Sequence, residues 1–112
     1  MHILYKIHEA QKATWEYLLS LNGRVATEWV PHVQCERFDA AVIIAPQLLD
    51  PPAEQLLRHF VAAGLPTFVA IGEAHRTYIE KLGARWINNA CYTYIRLDEQ
   101  LRALAPKSAK SD

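Results

Sequence analysis

An α/β domain built on an open parallel sheet, with helices on both faces, is predicted by three features of the sequence. Residues 38–72, FDAAVIIAPQLLDPPAEQLLRHFVAAGLPTFVAIG, read as a buried strand, a loop, an amphipathic helix and a second buried strand, which is a βαβ unit. Similar alternation flanks this unit on both sides. A length of 112 residues suits one domain with a single core that needs neither disulfides nor a structural metal. Short right-handed crossovers then favour a five-stranded sheet in the order 2-1-3-4-5, with the domain spanning 1–105 and a disordered polar tail over 106–112.

The elements follow in order. His2 to Ile7 is short and β-prone, and Ala10 to Asn22 places Ala10, Ala13, Thr14, Tyr17, Leu18 and Leu21 on one helical face, with Trp15 on its shoulder. Asn22-Gly23 supplies the stop. Arg24 to Val30 alternates as a half-exposed strand near a sheet edge does, with Val25, Thr27 and Trp29 opposite Glu28. Between His32 and Phe38 one or two helical turns would complete a crossover. Ala40 to Ala45 is continuously apolar, as a central parallel strand covered on both faces requires.

Pro46 to Pro52 reads as a loop that ends in a helix start. Asp50 is placed to cap, proline to occupy the first turn, and Ala53, Leu56, Leu57, Phe60 and Val61 to form the buried stripe. Gly64 closes that helix. Thr67 to Ile71 is the next strand, and Ala74, Tyr78, Ile79 and Leu82 mark a helix that stops at Gly83. Ala84 to Leu97 carries two strand signals, ARWI and CYTYIRL, split by Asn88-Asn89. Either one bent strand or a hairpin satisfies them. Asp98 is then expected to cap a terminal helix carrying Leu101 and Leu104.

Composition excludes several classes of function. Twelve basic and twelve acidic residues give no formal net charge, so nothing global attracts nucleic acid or an anionic membrane. No apolar run approaches the roughly 20 residues of a membrane span. With Cys35 and Cys91 far apart and no signal peptide, the expectation is a cytoplasmic protein in a reducing compartment. Neutrality also favours self-association. The glycine patterns of phosphate-binding loops are missing, so no nucleotide cofactor is expected. His32-x-x-Cys35 lacks a second close ligand pair, so no metal is expected either. Neither cysteine has an adjacent basic partner in sequence, and the serines lie in a helix or the tail, so no nucleophilic triad is visible.

Taken together, Ile3-Leu4, the helix ending at Gly23, Phe38-Asp39 before the central strand, Pro46 after it, the helix ending at Gly64, the TFVAI strand and Leu82-Gly83-Ala84 resemble the flavodoxin-like receiver domain of response regulators. That resemblance implies a site of paired acids, a phosphoacceptor aspartate, a hydroxyl residue and a lysine at the strand ends. This chain has His8-Glu9 at the first of these positions, Ile44 or Ala45 at the second, Ile71 or Gly72 at the third, and Asn88 to Ala90 at the fourth. No nucleophile for phosphorus stands there. The implied protein is a phosphorylation-independent pseudo-receiver, a protein interaction or regulatory module that binds a partner or itself as a homodimer. By the same resemblance its interface residues are Tyr78, Trp86, Tyr92 and Tyr94.

A second reading is enzymatic. Asp50, Glu54 and Gly64-Leu65-Pro66 imitate part of the pattern of nucleoside deoxyribosyltransferase-like domains, and TIR-like domains also place a glutamate on a helix of such a fold. The strand-end rule adds His8 and His75 beside Glu9 and Glu73. The candidate catalytic residues of a small nucleotide- or nucleoside-processing enzyme are therefore His8, Glu9, Asp50, Glu54 and His75, with imidazole beside carboxylate serving as general base or pH sensor.

Overall fold

In a computed structural model, which describes residues 1–45, 50–89 and 92–104, five parallel strands form one sheet in the order β2-β1-β3-β4-β5. The strands are β1 (His2–Ile7), β2 (Val25–Glu28), β3 (Ala40–Ile44), β4 (Thr67–Ile71) and β5 (Arg85–Asn88). The helices are α1 (Lys12–Leu19), α2 (Pro51–Ala62), α3 (Arg76–Lys81) and α4 (Thr93–Arg102). The expected topology is therefore realised, and the order reverses between β1 and β3. The loop expected over residues 46–52 lies partly, and the tail expected over 106–112 wholly, outside the described residues.

Because side chains alternate along a strand, the sheet sorts its apolar residues into two cores. On the first face Leu4, Ile43, Val69 and Ile71 meet Leu57 and Phe60 of α2 and Ile79 of α3. On the second, Ile3, Tyr5, Val42, Phe68 and Ile87 meet Trp15 and Leu19 of α1 and Leu97 and Leu101 of α4. β3 and β4 are buried at every position, which is why both read as unbroken apolar runs.

The start of α2 follows from its sequence. Asp50 sits in extended backbone, its carboxylate accepts the Ala53 N–H at 2.9 Å, and Pro51 occupies the first turn. Such a cap contributes about 1 kcal/mol, whereas burying Leu56, Leu57 and Phe60 contributes roughly 1.5–3 kcal/mol each. Packing therefore holds the helix and the cap sets where it begins. At the end of α1 the chain turns through Asn22 and Gly23, both at positive φ (61° and 76°), a conformation that asparagine and glycine tolerate best.

Two expectations are corrected. α1 is shorter than the sequence suggested, being preceded by a 3-10 turn over Glu9–Gln11, and it buries Trp15 and Leu19 rather than the Ala13, Thr14 and Tyr17 stripe, all three of which are exposed. The larger apolar surface of the indole decides which face turns inward. The CYTYIRL signal is not a strand where the structure describes it. Thr93 to Leu97 is the first half of α4, so Asp98 lies inside the helix rather than capping it, and Tyr92 takes the N-cap position at φ 68°. The β-branched and aromatic residues suggest a strand, yet Thr93, Leu97 and Leu101 recur at helical spacing and are all buried.

Asp98 has another task. Its carboxylate pairs with the buried Arg24 at 2.6 Å and with Arg102 at 2.7 Å, tying the start of β2 to the middle of α4. Burial by itself would push this carboxyl up, but the hydrogen bonds from Arg102 and Arg24 outweigh it and hold the group below its ordinary value.

The β2 to β3 connection contains a single 3-10 turn, Cys35–Arg37, rather than a helix. Among the described residues no helix therefore lies over β1 and β2 on the first face. That gap positions the site.

Candidate functional site

In an open α/β sheet the crevice lies beyond the C-terminal ends of the strands, where the strand order reverses. Here that point falls between β1 and β3, and a cleft of about 960 Å³ opens there. One wall is the first turns of α2, and the floor is the C-terminal end of the first face of β1 and β3, at Lys6 and Ile43.

Of the residues singled out in the sequence, His8, Glu9 and Asp50 come together along this cleft. The His8 N–H donates to the Ile44 carbonyl at 3.0 Å, which fixes the end of β1 against the end of β3. Glu54 and His75 do not line the cleft. Glu54 pairs with Arg58 at 3.4 Å, and Arg58 also donates to the Tyr78 hydroxyl at 3.1 Å, so that carboxylate belongs to the α2 and α3 side. His75 ends the 3-10 turn after β4, two strand spacings or about 10 Å from β1.

The cleft also holds residues that the sequence reading did not assign to it. Lys6 and Trp29 line it from the floor and His59 from α2. His59 Nε2 lies 3.5 Å from the Sγ of Cys35, a buried thiol. Burial first, and the nearby Glu36 carboxylate second, push the Cys35 thiol above its ordinary value. It is consequently a neutral hydrogen-bonding partner of the imidazole rather than a thiolate nucleophile. No group of three His, Cys, Asp or Glu side chains is arranged to hold a metal ion among the described residues.

At the end of β3, Ile44 and Ala45 are both buried. The Asn89 side-chain amide, just past β5, donates to the Ala45 carbonyl at 2.7 Å. A neutral cross-link thus joins the ends of β3 and β5, and no carboxylate occupies the end of β3.

The four aromatic residues expected at an interface flank the β5 edge of the sheet from opposite faces. Tyr78 (39 % exposed) lies on α3 and Tyr92 (73 % exposed) at the start of α4. Trp86 and Tyr94 are half-buried and engaged. The Trp86 indole N–H donates to the Ile71 carbonyl at 3.1 Å under the Arg76 guanidinium, and Tyr94 packs against Trp15.

Fold and site together define a class, a flavodoxin-like α/β domain with an open crevice at its switch point. No protein-family model, curated protein or solved structure matches the chain. No helix among the described residues is long and apolar enough to cross a membrane.

Proposed function

We propose that this chain is a phosphorylation-independent, receiver-like regulatory module that acts by binding a protein partner or a second copy of itself in the cytoplasm. The observation that carries this reading is the end of β3. Phosphotransfer in such a fold needs a carboxylate nucleophile and hard oxygen ligands for magnesium. Here buried Ile44 and Ala45 stand in that place, held by the Asn89 amide. The bond joins two neutral groups, so it has no charge to gain or lose. The working surface is the α3, β5 and α4 edge, where Tyr78 and Tyr92 supply exposed aromatic area of the kind that anchors interfaces.

The enzymatic reading retains His8, Glu9 and Asp50 in one cleft. Its helix-borne glutamate, Glu54, pairs with Arg58 toward α3 instead of lining that cleft, which weighs against this reading.

The test has two arms. Intact-mass measurement after incubation with acetyl phosphate and Mg²⁺ should show no added phosphate, and a stable phosphoryl adduct would overturn phosphorylation independence. Sedimentation of wild type against Tyr78→Ser/Tyr92→Ser, together with capture of partners from the native host, should show association lost in the variant. Identical behaviour of the two proteins would remove the β5 edge as the working surface.

A further inference from the structure

The sheet strip left open by the short β2 to β3 connection carries an unusual row of side chains. The ladder continues one residue beyond β2, with the Trp29 N–H donating to the Tyr5 carbonyl at 2.9 Å. Since Tyr5 is in register with Glu28, Trp29 falls beside Lys6, and Lys6 is in register with Ile43. Indole, ammonium and isoleucine therefore lie side by side on the first face, in the cleft.

Lys6 stands on an interior strand, at an inward-facing position of an all-parallel sheet, where an apolar residue is the rule. It is nonetheless exposed, and the ammonium is left facing the cleft with no ion-pair partner among the described residues.

The acids of the cleft lie elsewhere. The Asp50 carboxylate is taken up by the Ala53 N–H at the start of α2, and nine residues of helix, about 14 Å, separate it from His59. Glu9 lies three residues beyond Lys6 along the chain, roughly 10 Å toward the rim at strand spacing. The floor is thus cationic and aromatic, while the rim is acidic.

We propose that this strip binds a small planar anion, an aromatic ring bearing a carboxylate or a phosphate. The ring lies against Trp29, Ile43 and Leu56, and the negative group meets Lys6. Stacking on an indole supplies area and orientation, and a charge-assisted hydrogen bond to the ammonium selects the anion.

Calorimetric titration with 2-naphthoate, 2-naphthyl phosphate, 2-naphthalenemethanol and inorganic phosphate tests this on the whole chain. Wild type should bind at least one of the two ring anions about tenfold or more tightly than the uncharged alcohol, and should not bind inorganic phosphate measurably. The better of the two anions identifies the charged group. Lys6→Met should abolish the preference for the anion while leaving the alcohol's affinity unchanged, with Lys6→Gln as a second variant should the first fail to fold. Trp29→Leu should weaken anion and alcohol alike, and Lys81→Met, on α3, should change neither. Equal affinities for anion and alcohol, a preference that survives Lys6→Met, or no saturable binding of either ring anion would overturn the proposal.

Discussion

The two faces of the sheet are made from the same strands but are finished differently. On the second face α1 and α4 close over Ile3, Phe68 and Ile87, and the Arg24 to Asp98 ion pair fastens the edge strand to α4. On the first face α2 and α3 cover β3 to β5, while the connecting segment packs over Leu4 of β1 through Cys35 and Phe38 and leaves the C-terminal ends of β1 and β2 open around Lys6 and Trp29. The cause is the length of a connection. A parallel crossover that includes a helix needs a dozen or more residues, and residues 29–39 hold only a 3-10 turn. A cleft here results from what the chain omits between two strands, whereas the opposite face is sealed by α1, in the β1 to β2 connection, together with α4, which follows the last strand.

The largest effect that sharpens this contrast is truncation in the sealed core. Phe68→Ala or Leu101→Ala should cost about 3–5 kcal/mol in urea unfolding, because both are fully buried. Trp29→Ala, on the open strip, should cost less than half of that despite the larger side chain. Equal costs would break the contrast. Next comes Asp98→Asn, expected to lose about 2 kcal/mol at neutral pH by weakening two charge-assisted hydrogen bonds. The sign with pH follows from the lowered value of Asp98. Below about pH 4 the unfolded chain binds more protons than the folded one, so the contribution is complete at neutral pH and disappears as pH falls through the folded pKa. Wild type and variant should converge in acid.

Smaller still is Lys6→Leu, which should leave stability within about 1 kcal/mol of wild type, on the stabilising side. A loss larger than that would mean the ammonium has a structural partner. The smallest effect concerns Cys35. In a Cys91→Ser background, alkylation of the native protein at pH 8 should be much slower than that of free cysteine and should accelerate on unfolding, since the thiol is buried and its ionisation is disfavoured.

Much of this was legible in the chain. Continuous apolar runs at β3 and β4, the cap at Asp50 and the amphipathic stripe of α2 each follow one local rule, and together they give the strand order. Local rules misled where a β-prone composition overlay a helical period, as in Thr93 to Leu97, and where a tryptophan on the shoulder of a helix outweighed smaller residues on its centre line, as in α1. His8 and Glu9 were placed near the crevice by the strand-end rule and Asp50 by a partial family pattern, and all three line the cleft. Lys6 left a signal of its own, a charge two residues after Leu4 in HILYKI and hence on the same inward face. The contact of Cys35 with His59 spans 24 residues and depends on how α2 lies over the sheet, which no short window of sequence contains.

The row through Trp29, Lys6, Ile43, Val69 and Trp86 has an optical consequence. Its two indoles mark opposite margins of one layer, and the third, Trp15, lies buried on the other side against Tyr94. One of them lines the open cleft, one is bonded to a carbonyl beneath a guanidinium, and one is buried in the second-face core. Ultraviolet emission from this small protein is therefore the sum of three lamps in three surroundings. Extinguishing one lamp at a time, by replacing each tryptophan with phenylalanine, would let the molecule report separately on its cleft, its free edge and its sealed interior without any attached dye.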